Sequence, residues 1–182
     1  MNYYGHQGPI YRVRCNPFWH SQDCPIFISS SYDWTVKVWH AREEVEKLSC
    51  HQISGDRPLT SQVNDVNWSP STSSCFASVT NDGRIEIWDL FINNLAPVVT
   101  HFDKLEDGVT EDSTPKTIVR FSASSPVILS GNEKGGVDVY RSKGLEHVQV
   151  SDQDQINRLL GAIKKDDFAS DDKDAKKDED GA

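Results

Sequence analysis

The stretch FISSSYDWTVKVW, from Phe27 to Trp39, constrains this chain more than any other, because it recurs. FISSS reads as one strand, Tyr32-Asp33-Trp34-Thr35 as a tight turn, and VKVW as the returning strand. Val36 and Val38 point to one face of that strand and Lys37 and Trp39 to the other. The pattern returns as FASVTNDGRIEIW, Phe76 to Trp88, and in weaker form as VILSGNEKGGVDVY, Val127 to Tyr140. Trp88 follows Trp39 by 49 positions and Tyr140 follows Trp88 by 52. A repeat of that length cannot bury its apolar side alone and has to stack on its neighbours.

Each strand pair is preceded by another extended segment. The first is GHQGPIYRVRCNP, in which Tyr11, Val13 and Cys15 share one face and Arg12 and Arg14 the other, ended by Asn16-Pro17. Its counterparts are VNDVNWSP, where Val63, Asp65 and Asn67 alternate with Asn64, Val66 and Trp68, and TIVRFSASSP from Thr117 to Pro126. Outer strands are expected at Glu46–Ile53, Ala96–Phe102 and Leu145–Val150. Four strands recurring about every fifty residues predict an all-β fold, a partial β-propeller of about three blades. Their approximate limits are 5–53, 62–102 and 116–150, within a region covering 1–150. Ile156, Leu159, Leu160 and Ile163 then fall on one face of a short amphipathic helix over 151–165, which Ser151 or Asp152 can cap. Residues 166–182 are acidic low-complexity sequence, expected to be a disordered tail.

Charge and composition narrow the function. A net charge of −9 argues against a nucleic-acid or anionic-membrane surface, which needs clustered Lys and Arg. No apolar run is long enough to span a bilayer, and the first residues lack the basic and apolar parts of a signal peptide. Cys15, Cys24, Cys50 and Cys75 follow no disulfide framework, as suits a reducing, cytosolic compartment. Cys15, His20 and Cys24 have no fourth zinc ligand in register, and Cys15 is expected to be a small buried thiol on the apolar strand face. The acidic tail lacks the order of a calcium loop.

Gly5-His6, then Asp33 in a turn and Trp39 at the strand end, resembles a WD repeat, and Asp82 with Trp88-Asp89 resembles a second. The resemblance implies a hydrogen-bonded tetrad in each blade: His6, Ser29 or Ser31, Asp33 and Trp39 in the first; Ser78 or Thr80, Asp82 and Trp88 in the second. Ser31 and Thr80 are the members expected here. No Gly-His precedes Val63, so the second tetrad is incomplete, and the third repeat has Lys134 for the aspartate and Tyr140 for the tryptophan. His6, a serine and Asp33 also have the letters of a nucleophilic triad, but no motif supplies an oxyanion hole, so a structural role is expected.

GPIYRVRCNPF, FISSSYDWTVKVW and FASVTNDGRIEIWDL are similar to the C-terminal blades of dynein intermediate chains, in particular an axonemal outer-arm one. This resemblance runs from residue 5 to about 163. It implies a non-catalytic subunit without cofactor or metal, whose propeller docks on a dynein heavy-chain tail. A second intermediate chain, light chains and, through the complex, microtubules are the implied partners. The implied setting is the cytoplasm, the cytoskeleton and the axoneme of a cilium or flagellum. The other reading is a generic WD-repeat adaptor in another cytosolic complex. Met1 is expected to begin a fragment, whose open flanks favour oligomers or poor solubility. Candidate partner contacts are Trp34, Arg12, Arg14 and the helix face Ile156, Leu159, Leu160 and Ile163. Each has a structural alternative. Trp34 can pack on the next blade, the arginines can pair with Asp65, and the helix can fold back beneath the last blade.

Overall fold

A computed structural model describes residues 1–19, 25–51, 61–105, 108–143 and 150–164. Eleven strands and one helix follow one another along these segments. The first antiparallel sheet contains β1 (Ile10–Cys15), β2 (Ile26–Ser31), β3 (Val36–His40) and β4 (Glu46–Cys50) in that spatial order. The second repeats the meander with β5 (Val63–Trp68), β6 (Cys75–Thr80), β7 (Arg84–Asp89) and β8 (Val99–Phe102). The third contains β9 (Lys116–Phe121), β10 (Val127–Asn132) and β11 (Val137–Arg141). The outer strand expected at Leu145–Val150 falls mainly on residues outside those described.

The central hairpins are equivalent residue for residue. Ile28 faces Val38, Ala77 faces Ile87, and Leu129 faces Val139. Each inner strand also carries an irregularity at the same place: between Ile10 and Arg12, between Val63 and Asp65, and opposite Gly131 and Asn132. Such a bulge shifts the alternation by one residue. Val63 therefore joins the face of Val66 and Trp68, rather than that of Asp65 and Asn67 as plain alternation predicts.

The sheets stack face to face. Ile26, Ile28, Val36, Val38 and Leu48 of the first blade meet Val63, Val66, Trp68, Phe76 and Trp88 of the second. Cys75, Ala77, Val79, Ile85 and Ile87 on the second blade's far side meet Val119 and Ile128 of the third. Burying an aliphatic side chain of this size contributes about 1.5–3 kcal/mol, so these two seams dominate the fold's stability. Two surfaces remain open among the described residues. On the first blade, Tyr11, Val13 and Cys15 are all exposed, because no sheet covers that side; Cys15 is therefore not the buried thiol expected. On the third blade, Val137 and Val139 are 71% and 66% exposed, although their counterparts Val36, Val38, Ile85 and Ile87 are buried.

Helix α1 (Asp152–Lys164) is capped by Ser151, whose Oγ accepts the Asp154 N–H at 3.2 Å. It does fold back on the sheets, but onto the boundary of the first two blades rather than under the last. Leu159, Ala162 and Ile163 enter the core that those blades share, beside half-buried Trp19. Gln155 anchors the contact: its Oε1 accepts the Ser73 N–H, and its carbonyl accepts the Ser73 hydroxyl. Arg158 pairs with Asp89 and lies 4.4 Å over the Phe91 ring.

Candidate functional site

The polar groups that the repeats place near each turn form three different clasps. In the first blade, Trp39 Nε1–H donates to Ser29 Oγ at 2.8 Å, and Ser29 Oγ lies 2.7 Å from His6 Nε2. His6 Nδ1 is 2.8 Å from Asp33 Oδ2. Because Ser29 accepts from the indole, its own proton is free for Nε2, which leaves Nδ1–H to donate to Asp33. Asp33 also accepts from the Gln7 N–H, the Thr35 N–H and the Thr35 hydroxyl. Burial works against a charge on Asp33, but the hydrogen bonds from Thr35, Gln7 and His6 outweigh it and hold the carboxyl below its ordinary range. Ser31, which shares a face with Ser29, does not reach this chain of bonds. Its hydroxyl donates to the Gly8 and Pro9 carbonyls and accepts the Asp33 N–H, so it closes the turn instead.

The second blade lacks the histidine and fills its place from its own third strand. Trp88 Nε1–H donates to Ser78 Oγ at 3.2 Å, and Ser78 donates to Glu86 Oε2 at 3.0 Å. Arg84 links Glu86 to Asp82, at 3.2 and 2.9 Å. Thr80 bonds Asp82 rather than the tryptophan. Burial pushes the Glu86 carboxyl up, with Arg84, Ser78 and Trp88 opposing it. Sequence reasoning missed both Glu86 and Arg84; their alternation with Ile85 and Ile87 was the available signal.

In the third blade, Lys116 takes over. Its ammonium bonds Asp103, Asp138 at 2.8 Å and the Tyr140 hydroxyl at 3.3 Å, while Tyr140 donates to Asp103. Burial alone would lower the Lys116 pKa, but the bonds to Asp103, Asp138 and Tyr140 reverse this and hold it above its usual range. At the turn, Asn132 Oδ1 accepts the Lys134 and Gly136 N–H groups, a task that Ser31 and Asp33 share in the first blade.

The remaining predicted contacts divide. Trp34 is half exposed and stands at φ +72°, where the matching residues of the other turns are Gly83 at +88° and Gly135 at +84°. Arg12 and Arg14 lie 3.3 and 3.7 Å from Asp65 of the second blade. On the helix, Leu159 and Ile163 are in the core and unavailable to a partner, because the helix docks on its own chain. Ile156 and Leu160 are half-buried.

Ser29, His6 and Asp33 have the connectivity of a nucleophilic triad but not its setting. Ser29 is 2% exposed and already accepts the Trp39 indole, so its oxygen cannot meet a substrate carbonyl. Of the zinc reading, His20 and Cys24 lie outside the described residues; among those described, no group of three or more His, Cys, Asp or Glu is placed to hold a metal ion. No described helix is long and apolar enough to cross a membrane.

Stacked antiparallel meanders with a Trp–Ser–His–Asp clasp define a section of a WD-repeat β-propeller. The family model described as "WD domain, G-beta repeat" matches residues 1–40 and 43–89. The chain is similar to dynein axonemal intermediate chain 4 of Mus musculus, at 37% identity over 161 residues, covering 87% of this chain and 18% of the relative. The Homo sapiens protein of the same name is 34% identical, covering 88% of this chain and 17% of its own length. The ciliary dynein intermediate chain 2 of Heliocidaris crassispina is 32% identical over 132 residues, 72% of this chain and 17% of that protein. The chain thus spans less than a fifth of the length of these relatives.

Proposed function

We propose that this chain is a non-catalytic scaffold: a propeller section of an axonemal dynein intermediate chain that docks on the tail of a dynein heavy chain. The observation that carries this reading is the similarity to axonemal intermediate chains over most of the chain. The three clasps support it as well, because they use their polar groups to hold strands and neighbouring blades together. A rigid stack of sheets suits the task of keeping subunits in register. In this reading a second intermediate chain and light chains complete the assembly. Its place is the ciliary or flagellar axoneme, where it supports microtubule-based movement.

The test is affinity purification of the tagged chain from ciliated cells. Dynein heavy chain among the stably recovered proteins supports the proposal. Recovery of another stable complex without any dynein heavy chain refutes it and favours a generic WD-repeat adaptor. A tagged chain bearing Glu in place of Val137 and Val139 separates docking through the open third-blade side from docking elsewhere.

A further inference from the structure

The inner strands β1, β5 and β9 lie side by side, and one carboxylate stands among them. Asp65 of β5 has a fully buried side chain. Its Oδ2 accepts Arg120 Nη1–H at 2.7 Å and the Val119 N–H at 3.1 Å, both from the third blade. Its Oδ1 faces Arg12 Nε at 3.3 Å and Arg14 Nη2 at 3.7 Å, both from the first. Oδ1 nevertheless accepts no hydrogen bond of good geometry among the described residues. Arg12 and Arg14 are therefore drawn towards the carboxylate without being locked to it.

The charges at this point do not balance. Three guanidinium groups gather on one carboxylate, an excess of two positive charges in a chain of net charge −9. The three side chains are 45%, 32% and 38% exposed. Arg12 and Arg14 otherwise give only one N–H each, at 3.4 and 3.2 Å, to the carbonyls of Tyr11 and Val13, and Arg120 gives one to Val119. The other guanidinium donors have no partner among the described residues. A guanidinium fork matches a carboxylate in two parallel hydrogen bonds, and a second carboxylate here would relieve the repulsion among three like charges.

We propose that Arg12, Arg14 and Arg120 receive a carboxylate side chain from an acidic peptide segment of a protein partner. The surroundings favour a peptide over a bare anion. Half-exposed Ile118, two positions before Arg120 on the same face of β9, offers apolar contact to a flanking side chain. Nucleic acid and anionic membrane are disfavoured, since both need a broad cationic field that a chain of this net charge lacks. Asp65 orients the three arginines and closes two blade seams, while the ligand takes the donors that Asp65 leaves. This site stands independently of the dynein assignment, because it would exist in any WD-repeat protein with these residues.

The experiment is calorimetric titration of the whole chain with acetyl-Val-Glu-Glu-Val-amide, with the corresponding Gln-Gln peptide, and with inorganic phosphate. The Glu peptide is expected to bind, to weaken as salt is raised, and to bind about tenfold or more tightly than the Gln peptide. Replacing Arg12 and Arg120 together with Gln is expected to weaken binding by about tenfold or more, while the paired Lys variant retains an intermediate affinity. Arg14→Gln serves as the milder variant, because its link to Asp65 is the longest of the three and its loss leaves the seams closed. Absence of binding, equal binding of the Glu and Gln peptides, or unchanged affinity in folded Arg variants overturns the proposal. Phosphate binding as tightly as the Glu peptide overturns the assignment to a peptide.

Discussion

Asp33 and Asp82 occupy the same turn position in consecutive blades, yet truncating them should have unequal effects. The Asp33 side chain is 7% exposed and its partner His6 4%. Asp33→Ala removes the acceptor from His6 Nδ1–H, the Thr35 hydroxyl, the Thr35 N–H and the Gln7 N–H. Water can replace it at Gln7, which is exposed, but not readily at His6. Each buried donor left unpaired costs about 1–3 kcal/mol, so the expected loss is about 2–4 kcal/mol. Asp82 is 35% exposed and its main partner Arg84 keeps Glu86, so Asp82→Ala should cost about 1 kcal/mol or less. Urea unfolding followed by tryptophan fluorescence, at matched protein concentration, measures both. The acid limb gives a second check. Because the Asp33 pKa is depressed in the folded chain, its contribution is fully present above the ordinary value of 3.8 and is lost as pH falls through the lower folded value. Asp33→Ala should flatten stability against pH in that acid range. Equal costs for the two substitutions, or an unaltered acid limb, would refute the account of the first clasp.

Trp34→Gly should raise the unfolding midpoint by about 1 kcal/mol equivalent, since a bulky residue held at positive φ is strained and Trp34 is half exposed; a lower midpoint would mean that its packing outweighs the strain. Lys116→Met should destabilise by about 3 kcal/mol, because two carboxylates lose the cation between them, with faster amide exchange concentrated in β9 to β11. In the unsubstituted chain that network's contribution is fully present between the ordinary values of 3.8 for Asp103 and 10.5 for Lys116, and it is lost as pH falls through the lower folded value of Asp103 or rises through the raised folded value of Lys116. Alkylation of the native chain, mapped by peptide mass spectrometry, should label Cys15 and spare Cys75, whose thiol is pushed up to about 12 by burial and the nearby Asp89 charge.

The strands, their hairpins and the order of the blades were legible because alternation and turn residues are local properties. Phe27 to Trp39 and Phe76 to Trp88 form the hairpins that their letters describe. The polar clasps were legible only in part. Ser29 and Ser31 lie on one face, and only the diagonal reach of the Trp39 indole decides between them. The same holds for Ser78 over Thr80. Glu86 and Arg84 replace a histidine across the sheet and are marked only by their alternation with Ile85 and Ile87, while Lys116 draws on Asp103 from another blade, which leaves no local pattern. The helix showed its apolar face in the spacing of Ile156, Leu159, Leu160 and Ile163, but its berth depends on Gln155 meeting Ser73, 82 positions away. The bulges at the inner strands were hidden for the opposite reason: one unpaired residue barely disturbs an alternating string.

The uneven cover of the three sheets sets an order in which the molecule comes apart. Strands β6 and β7 are buried along their whole length, with a neighbour on either side, whereas β11 is wetted at every other residue. In a stack where each layer is held by those next to it, the outermost layers fray first. Melting should therefore travel inward from residues 116–141, leaving the middle sheet and the helix clamped to it as the last ordered remnant. Any body that seats itself on Val137 and Val139 would reverse that sequence at one end, so occupancy there can be read as late exchange in β10 and β11.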